Sequence, residues 1–190
     1  MDSCGHYPLH VSASRGNYKM VYHLLHRGVG RLMSINAYNM EGYQAIHMAA
    51  LNGHHNALKV LLLAGAELDK PQFLSDKATA RYTPLHCTAV SNSVQCCKVL
   101  VGKGADIFKK NSDGNTVLHV AILELAADVF EYLLDHPHYE VFDSIKNNYG
   151  ETPLMLANSL LQVDDEDYSG EILKSMECRM TLKSWGLGFE

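Results

Sequence analysis

The chain has 190 residues, 47% hydrophobic and 19% charged, enough apolar material for one substantial core and too much for a disordered chain. Its formal net charge of -5 and pI near 6.1 exclude the basic surface that nucleic-acid phosphate requires and suit a protein partner. Its most apolar stretch, Ala57 to Ala66, is broken by Lys59 and is far shorter than the roughly 20 residues that span a bilayer.

The opening residues, Met1 to His6, contain neither a basic region leading into an apolar run nor a glycine at position 2, so export and myristoylation are not expected. The five cysteines, Cys4, Cys87, Cys96, Cys97 and Cys178, are irregularly spaced and odd in number, which does not suggest a disulfide framework. A cytoplasmic or nuclear location is expected from that usage.

One tetrapeptide recurs along the chain: Tyr7-Pro8-Leu9-His10, Gln44-Ala45-Ile46-His47, Thr83-Pro84-Leu85-His86, Thr116-Val117-Leu118-His119 and Thr152-Pro153-Leu154-Met155. Successive fourth residues lie 37, 39, 33 and 36 apart, a period that marks a stacked helical repeat. Thr before Pro supplies a helix-capping oxygen and then a residue whose φ is already helical, so first helices are predicted from Pro8, Pro84 and Pro153. About twelve residues on, a second apolar run begins, as in Met20 to Leu25 and Ala57 to Leu63, and closes near Gly28 or Gly65. Each unit therefore reads as helix, turn, helix and projecting loop.

Departures from the period follow in chain order. Lys70 to Ala80, with Pro71, Phe73 and Leu74, enlarges the loop between repeats two and three. His136-Pro137-His138-Tyr139 replaces the Gly-Ala-acidic ending of repeats two and three. Repeat five is split: a helix over Pro153 to Val163, an acidic linker over Asp164 to Gly170, and a closing helix over Glu171 to Trp185 that presents Ile172, Leu173, Met176 and Met180 inward. The expected organisation is an array over residues 1–170, with repeats near 5–36, 42–70, 81–110, 114–143 and 150–170, completed by a helical cap within 171–190. Repeat one either serves as its own cap or belongs to something longer.

With Thr-Pro-Leu-His, Gly53-His54, Leu61-Leu62, Gly65-Ala66-Glu67 and Gly104-Ala105-Asp106 in place, the chain resembles the ankyrin-repeat family over about residues 5–160. The resemblance implies an all-α solenoid of helix-turn-helix units with projecting loop fingers. It also implies that the Thr hydroxyl and His imidazole bond each other in Thr83 with His86 and in Thr116 with His119. Tyr7, Gln44 and Met155 depart from the signature, which implies looser loops in repeats one, two and five.

No catalytic, cofactor or metal site is expected. Cys96 and Cys97 fall in the column occupied by Met20 and Val21, Ala57 and Leu58, and Val129 and Phe130, which reads as buried and apolar. His54 with His55, and His136 with His138, lack the spacing that aligns two ligands on one helix face. Phosphate-loop, nucleophile-elbow and zinc-protease motifs are absent from the sequence. The run Asp164 to Asp167 lacks the ligand spacing of a calcium loop and reads as a solvated linker.

Recognition is therefore expected on a concave face of loop tips and first helices. The position before each tetrapeptide gives Tyr43 and Tyr82, and the variable first-helix position gives Leu51, Val90 and Leu123, with Phe73 and Leu74 closing one edge. Tyrosine beside aliphatic side chains suits an interface anchor. The expected function is a non-catalytic adaptor or inhibitor: a monomer that binds a protein ligand and engages neither nucleic acid nor membrane. Alternatives are an ankyrin-type inhibitor of a Rel-like transcription factor and a regulatory piece of a larger enzyme or channel.

Overall fold

The computed structural model describes residues 5–26, 34–73, 81–161 and 168–184. Eleven helices occur among them: α1 (Pro8–Ser14), α2 (Tyr18–His26), α3 (Ala45–Leu51), α4 (His55–Leu63), α5 (Pro84–Val90), α6 (Val94–Gly102), α7 (Val117–Leu123), α8 (Ala127–Leu134), α9 (Tyr139–Ser144), α10 (Pro153–Leu161) and α11 (Tyr168–Ser184). They form two stacked rows. The short helices α1, α3, α5, α7 and α10 pack side by side as an inner row, and α2, α4, α6, α8 and α11 as an outer row.

Local sequence explains the shape of each unit. Proline occupies the first helical position of α1, α5 and α10, where its missing N–H costs nothing. The seven-residue inner helices α1, α3, α5 and α7 each last two turns and then reverse through a left-handed residue: Gly16 (φ 68), Gly53 (φ 69), Asn92 (φ 46) and Leu125 (φ 53). Asn tolerates that conformation through its short polar side chain, whereas Leu125 occupies it at a steric cost. Asn92 also caps α8 from the preceding repeat, since its Oδ1 accepts from the Asp128 and Val129 amides at 3.1 and 3.2 Å.

The outer helices α4 and α6 end alike. Gly65 and Gly104 adopt φ 93 and 89, the Ala66 and Ala105 amides reach back to the Leu61 and Leu100 carbonyls, and the glycine amides bond the Leu62 and Val101 carbonyls. This doubly bonded ending satisfies carbonyls that helix termini otherwise leave open. Helix α8 lacks the glycine. Lys183 of α11 donates instead to the Leu134 carbonyl at its end, and the chain runs on through His136-Pro137-His138 into α9.

The core lies between the two rows. Leu58, Leu61, Leu85, Leu100, Leu118, Phe130 and Leu133 are fully buried, each worth about 1.5 to 3 kcal/mol of apolar transfer. Cys96 and Cys97 are buried in the same layer, and burial pushes both thiols up, Cys97 to about 12, so they pack as small neutral hydrophobes.

Local detail departs from the repeat pattern at three points. Met20 is 45% exposed although Ala57, Cys96 and Val129 in its column are 0% exposed, because no helix precedes α2 in the described stack. Leu62, paired in the signature with fully buried Leu61, is only half-buried. Helix α11 begins at Tyr168, inside the stretch read as linker, and Gly170 is buried in its first turn. Leu173, Met176 and Met180 of α11 are buried and Ile172 packs beside them, facing α8 and α10. The acidic run Asp164 to Asp167 and Trp185 lie outside the described residues.

Candidate functional site

Among the described residues, the loops that precede α3, α7 and α10 form three fingers built alike around an asparagine at the base. Asn39, Asn111 and Asn147 each use Oδ1 to accept the amide four residues on, at 2.8, 2.9 and 3.0 Å, closing the finger over Gly42, Gly114 or Gly150. Before α5, the described ends of the enlarged loop are joined by the Gln72 amide, which donates to the Tyr82 carbonyl at 2.9 Å. The spacing Asn-x-x-Gly in the sequence signals these bases, although reading the tetrapeptides alone passes over it.

Adjacent fingers are bonded to each other. The Phe73 amide donates to the Gly42 carbonyl and the Asn148 amide to the Asp113 carbonyl, both at 2.9 Å. At Gly114 the approach is close: a Cβ there would lie 2.7 Å from the Asn148 backbone nitrogen.

Signature histidines fix the fingers to the inner row. Nδ1 of His10, His47, His86 and His119 accepts the backbone amide at the start of its own helix, at 3.2–3.3 Å. The tautomer is thereby set, so Nε2 carries the proton and donates to a carbonyl of the next finger. Those carbonyls are Ala37 and Tyr43 for His10, Lys70 for His47, Asn115 for His86 and Glu151 for His119, at 3.0–3.1 Å. The Thr83 and Thr116 hydroxyls meet the His86 and His119 Nδ1 atoms at 2.8 and 2.9 Å, as the signature implies. Tyr7 and Gln44 do not loosen their repeats in this respect, since His10 and His47 make the same bridge. Burial lowers His119 and holds His47 and His86 down to about 4, so these last two rings are neutral at physiological pH.

The inner helices are also joined at their C-terminal ends. Leu51, Val90 and Leu123 are the last residues of α3, α5 and α7, which stack in succession. The Ser91 hydroxyl donates to the Ala50 carbonyl at 2.8 Å, and Asn52 Nδ2 reaches the Ser14 hydroxyl at 3.4 Å, tying neighbouring helix ends together. Leu51 and Val90 are half-buried, while Leu123 is 41% exposed.

Tyr43 and Tyr82 stand half-buried at the finger bases. The Tyr82 ring stacks on His86 at 5.8 Å, and the Tyr43 ring meets His47 edge-on at 6.3 Å. Burial, with Glu124 and Asp113 adding to it, pushes the Tyr82 hydroxyl up to about 12; burial also raises Tyr43, an effect that nearby Gln72 partly offsets. Phe73 is 62% exposed on its finger and packs 5.8 Å from Tyr38. Leu74 lies outside the described residues. At the first repeat the surface opens into a cleft of about 240 Å³ lined by His6, His10, Val11, Ser14, Arg15 and Met48.

Among the described residues, no three His, Cys, Asp or Glu side chains gather where they could hold a metal ion, and no helix is long and apolar enough to cross a membrane. The family model described as Ankyrin repeats (3 copies) matches residues 1–72 and 68–144. The chain belongs to the ankyrin-repeat family.

Its ankyrin relatives are varied. It is 24% identical over 80% of its length to the target of rapamycin complex 2 subunit AVO2 of Saccharomyces cerevisiae, of which it covers 34%. It is 29% identical over 88% of its length to the nuclear factor NF-kappa-B p105 subunit of Gallus gallus, covering 16% of that protein. Over 51% of its length it is 35% identical to the RelA-associated inhibitor of Mus musculus, covering 11%. The chain thus spans about a third or less of these relatives. Its ankyrin stack is a protein-interaction module, of a family that is generally non-catalytic.

Proposed function

We propose that the chain is a non-catalytic adaptor or inhibitor that holds a protein ligand against its concave face. What supports this reading is that Leu51, Val90 and Leu123 end successive inner helices with surface left accessible, while half-buried Tyr43 and Tyr82 precede the starts of α3 and α5. Half-exposed tyrosines held rigid by stacking lose little side-chain entropy on binding, which favours them as anchors. Phe73, with Leu74 beside it in sequence, forms the edge of the groove under this reading.

Affinity capture from cell extract tests the proposal. Phe73→Ala and Leu123→Ala alter exposed side chains and should leave the fold intact while lowering recovery of a ligand at least roughly tenfold, about 1.4 kcal/mol. Tyr43→Ala and Tyr82→Ala should lower it further, but Tyr82 also stacks on His86, so its loss costs some stability. Lys59→Ala and Lys98→Ala, exposed on outer helices, serve as controls. Recovery that survives the groove variants and falls with the lysine variants would place the ligand on the other side.

A second reading rests on the resemblance to the p105 subunit and to the RelA-associated inhibitor: the ligand is a Rel-type transcription factor. Purified Rel-homology protein should then bind directly and lose affinity with Leu123→Ala. The small share of each relative that the chain spans also fits a regulatory segment of a larger protein.

A further inference from the structure

The site proposed above carries charge where repeat four joins it. Glu124 follows Leu123 at the end of α7, and Asp113 lies in the finger that precedes the same helix, one residue before Gly114. Both bear on a residue of the preceding repeat. After burial, the largest influences on the Tyr82 hydroxyl are the negative charges of Glu124 and Asp113, so two carboxylates from two different elements lie within electrostatic reach of one phenol. Cys87 of α5 and Tyr43 act on the same hydroxyl. Tyr82 therefore stands where the finger before α7, the end of α7 and the body of α5 come together.

Among the described residues no ion pair engages either carboxylate; those that meet a cationic or imidazole group are Glu41, Glu67, Glu131 and Asp135. The hydrogen bonds of Asp113 and Glu124 run through their backbone atoms. Glu124 is exposed and Asp113 half-buried. Apolar surface adjoins them, since Leu123 is 41% exposed and half-buried Val90 ends the helix packed against α7. The Tyr82 ring is held nearly parallel to His86, at 16°. Arginine matches this combination better than any other side chain. Its planar fork can donate to two carboxylates at once, its weakly hydrated guanidinium lies on aromatic rings, and its methylene stem packs on aliphatic surface.

We propose that the protein ligand places an arginine between Asp113 and Glu124 beside Tyr82, with an apolar residue of the same segment on Leu123 and Val90. This inference rests on the concave reading above and adds to it the chemistry of the ligand. Apolar contact supplies affinity, and the two carboxylates select a cationic segment and repel an acidic one.

Synthetic peptides of about ten residues, identical but for an arginine, lysine or glutamate set between leucines, test this by fluorescence anisotropy with the whole chain. The arginine peptide is expected to bind at least about tenfold more tightly than the glutamate peptide and about threefold more tightly than the lysine peptide. Glu124→Gln and Asp113→Asn keep the backbone hydrogen bonds and should each cut the preference for arginine over glutamate to about threefold or less, with an unchanged circular-dichroism spectrum. Glu140→Gln removes the same charge from an exposed position on α9 and should leave the preference intact. Equal binding of the three peptides, no binding by any, or a preference that survives both acid variants would overturn the proposal. So would a gain of about tenfold or more for the arginine peptide with Lys77→Ala, which would make a lysine of this chain the occupant. Failure of the concave reading is distinguishable. If Leu123→Ala weakens all three peptides alike and no preference exists, the groove stands and only the arginine is lost; if the arginine peptide binds and Leu123→Ala changes nothing, both fall.

Discussion

Repeat one and repeats two to four contain the same pair of helices, but the same columns face different surroundings. Ala57, Cys96 and Val129 are sealed between two neighbours, whereas Met20 at the equivalent place is open to solvent. In a stack the repeat sequence specifies a helix and its faces, and burial comes only from the adjoining units. The contribution of a column residue to stability is therefore set by its position along the row as much as by its identity.

Acid should break the interior most strongly. The rings of His47 and His86 are held down to about 4, so the unfolded chain binds protons below about pH 6.5 that the folded chain refuses. Their contribution is complete above pH 6.5 and is lost between 6.5 and 4, by up to about 1.4 kcal/mol per pH unit for each ring. Urea denaturation across that range should show the decline. Replacing His86 with Gln should flatten the slope as it lowers the stability at neutral pH.

Next in size is Leu61→Ala, which opens a cavity between the rows and should cost about 2 to 5 kcal/mol by the same measurement. Gly114→Ala follows at about 1 to 3 kcal/mol, since it places a side chain at φ 76 and pushes a Cβ against the backbone of the next finger. A thermal melt unaffected by that change would mean that the fingers are not packed as described. Smallest is Met20→Ala, expected to cost less than about 1 kcal/mol because the side chain is already half in water. A loss as large as that of Leu61→Ala would erase the contrast between the first repeat and the interior.

Much of the fold was legible because it rests on local chemistry. Pro8, Pro84 and Pro153 announce the inner helices, Gly65 and Gly104 close the outer ones, and Thr83 and Thr116 meet their histidines as the family pattern implies. Features that depend on partners distant in sequence were not. Helix α9 buries Phe142 against Phe108, with ring centroids 5.0 Å apart, and the six residues from Tyr139 to Ser144 offer a single buried pair at helical spacing, Tyr139 and Phe142, too short a pattern to announce a helix. Asn92 looks like an ordinary turn residue until its bonds to Asp128 and Val129, 36 and 37 positions on, are in view. At the inner-helix ends, the family's variable first-helix position picked out Leu51, Val90 and Leu123, but not that the first two are half-buried and Leu123 exposed, since burial depends on neighbours distant in sequence.

The concave assignment is tested most directly by hydrogen–deuterium exchange of the chain, alone and saturated with a ligand recovered by capture. Protection is predicted in the fingers around Tyr43 and Tyr82 and at the helix ends at Leu51, Val90 and Leu123, with α4 and α6 unchanged. Protection confined to α4 and α6, with fingers that exchange as fast as in the free chain, would contradict it.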